Sequence, residues 1–312
     1  MGSRPSRPAA WKRAQASART LVSSMLAGLT IAAGSAAAQA PVDWTSVARA
    51  LGRSGSLVAG NVYKVGFPRS DLRVVVDGVP VAPALALGSW VGFLETTPGR
   101  AVAMGDLVLL EPEVSGVIQS LEAGGVEVTA LHNHLVRESP ALRYLHIRAA
   151  GDPAAIAATI KAALARTGTP LAPGPAAPPL ASLDTAGIHR VLGRQGVTNG
   201  GVYQVAVPRA DAVTEDGMVI PPSLGTSTSL NFEPTGPGMA AVTGDLVLVA
   251  SEVGPVTRAL TQNGIEVTAI HSHMLDETPR LIYVHFWAND DALKLAKGLR
   301  AALDQVHSAP AH

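Results

Sequence analysis

Residues 126–148 read VEVTALHNHLVRESPALRYLHIR, and residues 265–287 read IEVTAIHSHMLDETPRLIYVHFW. The two stretches align without a gap at an offset of 139 residues, and eleven of 23 positions are identical. Self-similarity at a fixed spacing marks a duplicated unit, so the rest of the chain is read outward from this match. Leu51-Gly52-Arg53 returns as Leu192-Gly193-Arg194, Tyr63-x-Val-x-x-Pro68-Arg69-x-Asp71 as Tyr203-x-Val-x-x-Pro208-Arg209-x-Asp211, and Gly105-Asp106-Leu-Val-Leu109 as Gly244-Asp245-Leu-Val-Leu248. The pattern predicts repeat domains over 39–165 and 183–306. A Pro/Gly/Ala-rich linker at 166–182 joins them, and a short tail follows at 307–312.

Within one copy the pattern is α+β. A helix over about 43–51 precedes β-prone runs at Val62–Phe67, Leu72–Val76, Trp90–Thr96 and Asp106–Leu110. Pro112–Ala123 reads as a helix, with Val114, Val117, Ile118 and Leu121 at i, i+3, i+4 and i+7. Strands at Val126–Leu135 and Leu142–Arg148 follow. A helix over Asp152–Leu164 comes last, with Asp152 as N-cap and Pro153 at the first position. The order resembles a ferredoxin-like half. It predicts two tandem repeats, each a mainly antiparallel sheet with helices packed on one face.

Composition narrows the function classes. The 312 residues carry 24 Lys+Arg and 24 Asp+Glu, with no cysteine and only 4% aromatics. Residues 1–38 hold Arg4, Arg7, Lys12, Arg13 and Arg19 and no acid, followed by an apolar run at 21–33 and the small residues 34–38. That order predicts an export signal. The apolar run is shorter than the ~20 residues a membrane span needs, so no stable membrane insertion is expected after cleavage. A periplasmic or secreted mature chain would hold 19 basic against 24 acidic residues, a net charge of −5, which argues against a nucleic-acid partner. Without cysteine, thiolate metal sites and thiol nucleophiles are excluded.

The histidines carry the chemistry. Six of the nine are His132, His134 and His146 and their counterparts His271, His273 and His285, each set within His-x-His-x3-Glu-x7-His. Residues i and i+2 of a strand share a face. Pairing His134 with Tyr144 would set His146 opposite His132, close enough for three imidazoles to share an ion. Glu138 and Glu277 are the candidate catalytic carboxylates, as base on a bound water or as fourth ligand. Imidazole and carboxylate donors suit a divalent transition metal: Zn, Mn, Fe, Ni or Cu. The same histidines would also suit a hydrogen-bonded core or a metal-free binding cluster. Tyr144 and Tyr283 share the histidine face, either to donate to a ligand or to pack with a satisfied hydroxyl. Arg69-x-Asp71 and Arg209-x-Asp211 read as a turn with an ion pair or as an anion site. Asp106 and Asp245 read mainly as turn residues.

Two families resemble these residues. His132-x-His134-x3-Glu138 looks like the first metal motif of cupins, but His146 follows only eight residues after Glu138 and a helix interrupts the strands, so the similarity is one of ligand geometry. The H-x-H-x3-E-x-P…Y-x-H, Y-x-V-x-x-P-R-x-D and G-D-L-V-L segments, with the exported duplicated layout, resemble the LppY/LpqO family (domain of unknown function 1259) over roughly residues 43–305. This chain lacks the lipobox cysteine of the lipoprotein members. The resemblance implies no activity.

Three functions remain open at this level. The first is a metal-dependent enzyme of the cell envelope, with hydrolysis as its chemistry and an unidentified small molecule or envelope polymer as substrate. The second is a metal carrier or buffer, with Met274 as a soft ligand hinting at copper. The third is an envelope module that binds glycan or protein. The export reading predicts that N-terminal sequencing of the exported protein returns a start near Gln39; recovery of Met1, or recovery only with membranes, would refute it.

Overall fold

The computed structural model describes residues 40–172 and 179–310. The expected export segment at 1–38, the start at Gln39, residues 173–178 of the linker and the last two residues lie outside the described residues.

The first repeat runs α1 (Trp44–Leu51), β1 (Ser56–Val58), β2 (Val62–Pro68), β3 (Val74–Val76), β4 (Val79–Val81), α2 (Pro83–Ala86), β5 (Gly88–Thr97), β6 (Arg100–Leu110), α3 (Val114–Ala123), β7 (Glu127–His132), β8 (Glu138–Ser139), β9 (Leu142–Gly151) and α4 (Pro153–Leu164). The second runs α5 (Thr185–Leu192), β10 (Val197–Asn199), β11 (Val202–Pro208), β12 (Thr214–Glu215), β13 (Met218–Val219), β14 (Ser227–Gly236), β15 (Met239–Leu248), α6 (Ala250–Gln262), β16 (Glu266–His271), β17 (Ile282–Asp291) and α7 (Ala292–Leu303). Each repeat builds a six-stranded sheet, in the orders β1-β2-β5-β6-β9-β7 and β10-β11-β14-β15-β17-β16. Neighbouring strands are antiparallel throughout. The two tandem α+β repeats expected from sequence are therefore present.

Local chemistry sets the helix ends. Asp43 caps α1 by accepting from the Thr45 N–H at 2.9 Å, and Gly52 closes it in the left-handed region. Asp152 caps α4 by accepting from the Ala154 and Ala155 N–H groups. Helices cover one face of each sheet. In the first repeat Val47, Leu51, Val117, Leu121, Ile156 and Ile160 pack on Leu107, Leu109, Leu145 and Ile147. Helix-side residues of the second repeat form the equivalent core.

The other sheet face is covered too, by the opposite repeat, and the two repeats together form one compact unit. The segment after β2 is an arm. Its β3–β4 hairpin turns at Asp77-Gly78, both at positive φ, as an Asp-Gly two-residue turn requires. Asp216-Gly217 makes the same turn between β12 and β13. Val74, Val76, Val81 and Leu85 of the first arm pack with Val202, Ala241 and Trp287 of the second repeat. Val213, Ile220 and Leu224 of the second arm pack with Val62, Val102 and Met104 of the first. Cover on both faces explains why β6 begins at Arg100 rather than at the expected Asp106. The Ala101–Met104 run is buried on alternate sides, so it shows no apolar/polar alternation.

Residues 166–172 of the expected linker lie against the first repeat: Gly168 N–H donates to Glu113 at 3.0 Å, and Ala172 accepts from Arg53. In the expected tail, Ser308 bridges to Arg209 and the His307 carbonyl accepts from the Ala210 N–H. No helix among the described residues is long and apolar enough to cross a membrane.

The Arg-x-Asp motifs are structural clamps. Arg69 is fully buried; it donates to Glu113 at 2.7 Å, to Asp71 at 2.9 Å and to the Val108 carbonyl at 2.9 Å. Arg209 repeats this with Glu252, Asp211 and the Val247 carbonyl. With carboxylates on both sides, the guanidinium has no room to serve an external anion. Removing one partner of a buried charge pair leaves the other charge unpaired. Arg69→Met is expected to destabilise the protein by about 3–5 kcal/mol, measured as a fall in the urea midpoint; a change under about 1 kcal/mol would show that the clamp is dispensable.

Candidate metal centre

Strand register brings the functional side chains onto the face between the repeats. On β6 and β9, Asp106 stands directly opposite His146; on β7 and β9, His132 stands opposite Tyr144. The second repeat matches, with Asp245 opposite His285 and His271 opposite Tyr283. This corrects the register expected from sequence, in which His134 faced Tyr144. Ala130 rather than His132 pairs with His146, and a bulge between Val128 and Ala130 adds one residue to β7, so that Thr129 is left unpaired. The bulged Thr129 is held by the other repeat, its hydroxyl donating to the His273 carbonyl at 2.7 Å. His134 lies just past the strand end, where its ring stacks on Tyr144 at 3.5 Å.

The six histidines converge. Sequence placed them as two triads, one per repeat, whereas in the fold each ring is stacked on a ring of the other repeat. His132 stacks on His271 at 3.6 Å, His134 on His285 at 3.8 Å and His146 on His273 at 3.6 Å between ring centroids. Within the first repeat, His132 lies 5.1 Å from His134 and 5.0 Å from His146. Three overlapping sets have ligand atoms within 4.8 Å of one another: His132, His134 and His146; His132, His271, His273 and His285; and His134, Asp245 and His285.

All six Nε2 atoms are buried without a hydrogen-bond partner, as is one oxygen of Asp106. Buried polar atoms are nearly always bonded, so such a concentration needs a cause. The carboxylate of Asp106 lies 3.8 Å from both His134 Nε2 and His146 Nε2. That is too long for a hydrogen bond and within the span of two ligands on one ion. His285 is oriented by Asp245, whose carboxylate is 2.7 Å from Nδ1, and by the Gly244 carbonyl at 3.1 Å.

Burial favours the neutral form of five of the imidazoles. It pulls His146 down to about 3 and His271 to about 4, with neighbouring imidazoles adding to the shift, and it lowers His132, His134 and His273 as well. Burial, reinforced by the charge of Asp245, pushes Asp106 well above the usual carboxylate range. For Asp245, burial works upward, but adjacent His285 outweighs it and leaves the carboxyl below its usual range. Lys64 stacks over Trp90 at 3.7 Å and is lowered by burial to about 8, against the pull of Asp106 and Asp245.

Glu138 and Glu277, the candidate bases, face their own loops. Glu138 accepts from the Leu142 N–H at 3.2 Å; Glu277 accepts from Leu281 N–H at 2.7 Å and from Arg280 at 3.2 Å. Neither belongs to the clusters with ligand spacing. The hydroxyls of Tyr144 and Tyr283 donate to the Ala86 and Gly225 carbonyls, at 2.9 and 3.0 Å, so their rings pack on the centre while the phenols are satisfied elsewhere.

Asp106 and Asp245 were missed as site residues. Each lies within a strand, next to a glycine whose absent side chain lets the neighbouring strand approach. A Cβ on Gly105 would meet the Trp90 carbonyl at 2.6 Å, and one on Gly244 the Ser229 carbonyl at 1.8 Å. The signal was available. Leu107 and Leu109 alternate with Asp106, so the aspartate must face away from the helices.

A cavity of about 20 Å³, room for about one water, reaches the centre at His146 and His273. Trp90, Arg148, Glu215 and Met274 also line it.

A comparison with curated proteins finds no match. Among solved structures, the trimeric bacterial microcompartment shell protein PduB is 13% identical over 80% of this chain and 89% of its own, with a TM-score of 0.23. EtuB from Clostridium kluyveri is 10% identical over 80% and 90%, with a TM-score of 0.19. The family model described as Domain of Unknown Function (DUF1259) matches twice, at residues 45–166 and 186–305. The chain, with its two copies of the domain sharing one histidine centre, belongs to that DUF1259 family.

Proposed function

We propose that this is an exported metal-binding protein of the cell envelope, in which both repeats together build one transition-metal centre. The observation that carries the reading is the set of six buried, unpartnered Nε2 atoms facing one another across the repeats. Burial favours the neutral form of His132, His134, His146, His271 and His273, and ligating histidine must be unprotonated. The donors are nitrogen and carboxylate oxygen without thiolate, which fits Zn, Mn, Fe, Ni or Cu. His132, His134, His146, His271, His273 and His285 would hold the metal, with Asp106 and Asp245 as nearby carboxylates.

A divalent ion at such a centre supplies Lewis acidity and activates water, so hydrolysis of a small molecule or envelope polymer is the chemistry we assign. The buried residues limit bulk water, and the cavity at His146 and His273 offers an approach. Burial beside Asp245 raises the proton affinity of Asp106, whose carboxyl lies 3.8 Å from His134 Nε2 and His146 Nε2, so it is the group placed to exchange a proton there. A second reading, a metal carrier, is favoured by Met274, a soft sulfur donor that lines the same cavity.

Because each lobe of the centre takes rings from both repeats, loss of one ligand should affect the whole. In mass-spectrometric metal analysis, His134→Ala and His273→Ala are each expected to retain less than half of the wild-type metal, and the double variant essentially none. Retention of half in each single variant would mean two independent sites, and unchanged content would refute the proposal.

The lowered imidazole pKa values fix a pH dependence. Unfolded histidine takes up protons near 6.5, whereas His146 and His271 resist until about 3 and about 4. Between these limits the unfolded chain binds more protons, so stability rises with pH and is lost as pH falls through the window. The Tm of metal-free protein should drop steadily from pH 7 to pH 5.5, above the range where ordinary carboxylates titrate, about 3.9–4.3. A flat or rising Tm over that interval would contradict neutral buried imidazoles.

A further inference from the structure

The two lobes of the centre are related by the internal repeat, yet they are sealed differently. At the lobe that carries His146 and His273, Arg148 covers the cavity with its guanidinium 2.8 Å from Glu215 and a second contact to Asp216. The Arg148 side chain is 19% exposed, whereas that of Glu215 is only 2% exposed, so the arginine is the outer member of the pair. The repeat equivalent of Arg148 is Trp287, 139 residues later, and that of Glu215 is Val76. At the opposite lobe, where His134 stacks on His285, these two belong to one apolar cluster with Leu85 and Leu135. Trp287 is 4% exposed there and Val76 is fully buried. A polar pair over a water-sized cavity thus has an indole plug as its counterpart.

The geometry points to a centre gated unequally at its two related faces: exogenous ligand enters at the His146/His273 face, past Arg148, in preference to the symmetric face, which Trp287 closes. The inference rests on the metal reading above and adds to it the place of entry and the class of ligand. With room for about one water, the cavity admits water or the leading atom of a small linear anion. Arg148 is neutralised by Glu215 and Asp216 while the pair is closed, and it becomes a cation for an entering anion when that pair parts. Bulkier ligands require the Arg148–Glu215 pair to part. The Arg148 side chain already touches solvent, so parting the pair moves an outer group, whereas opening the symmetric face unseats a buried indole.

The test uses full-length mature protein loaded with Co²⁺, with cobalt content measured on every sample and azide as the probe, followed by the change in the visible cobalt spectrum. Wild type should bind one azide per chain. Arg148→Trp, which copies the plug of the closed side, should retain cobalt and weaken azide at least tenfold. Trp287→Ala should retain cobalt and take up a second azide. Cobalt-loaded wild type with no azide response, or azide binding by Arg148→Trp equal to wild type, would overturn the inference. Trp287→Ala remaining at one azide would overturn the role of Trp287, and this variant decides the question should Arg148→Trp fail to fold. Wild type that takes up no cobalt would overturn the metal reading itself, a separate outcome.

Discussion

Six imidazole nitrogens sealed from water with nothing to bond are the constraint on which the rest of this structure depends. An unsatisfied buried polar atom costs about 1–3 kcal/mol, and a domain has only about 5–15 kcal/mol of net stability to set against such terms. A cluster of this kind persists only where the surrounding packing over-determines it, or where something fills it. Both conditions shape the molecule. The rings are stacked in three cross-repeat pairs, so no single repeat could hold the arrangement by itself.

The arms supply the over-determination. Each leaves its own sheet after the buried arginine clamp and lays Val, Leu and Ile side chains on the other repeat. Polar ties accompany them: Asn231 and Gln204 of the second repeat donate to the Leu85 and Ala84 carbonyls, Glu233 accepts from the Ala82 N–H, and Lys64 donates to the Ser223 carbonyl. The arm carbonyls of Ala86 and Gly225 receive the tyrosine hydroxyls, which fixes the rings against which His134 and His273 stack. Packing at the interface and geometry at the centre are therefore one network.

Duplication followed by divergence then gives the centre two unlike ends. The ligand-type residues are the same in both copies, while the residues around them differ: Lys64 against Gln204, Trp90 against Ser229, Arg148 against Trp287. One end is lined by an ion pair and a small cavity; the other is apolar core. A symmetric set of histidines thus sits in an asymmetric shell.

The sequence alone determined the duplication, the helices with their Asp caps, the antiparallel sheet of each repeat and the histidine face, because all of these are local: a period of two or 3.6, a cap, a fixed offset. It was silent or misleading where the outcome depends on what covers a surface. Alternation places His132, His146 and Asp106 on one face, but both faces of this sheet are buried, so nothing in the pattern separates a turn aspartate from one aimed into a core. The bulge at Thr129 is equally invisible, since its cause is a carbonyl 144 residues away. Glu138 stood at ligand spacing along the chain, yet its carboxylate closes its own loop on the Leu142 N–H. Only the tertiary structure decided that the two triads meet in one cluster and that Arg148 and Trp287 lie at its opposite ends. Both follow from the docking of one repeat's open sheet face on the other, a long-range event that burial energy drives and local sequence does not encode.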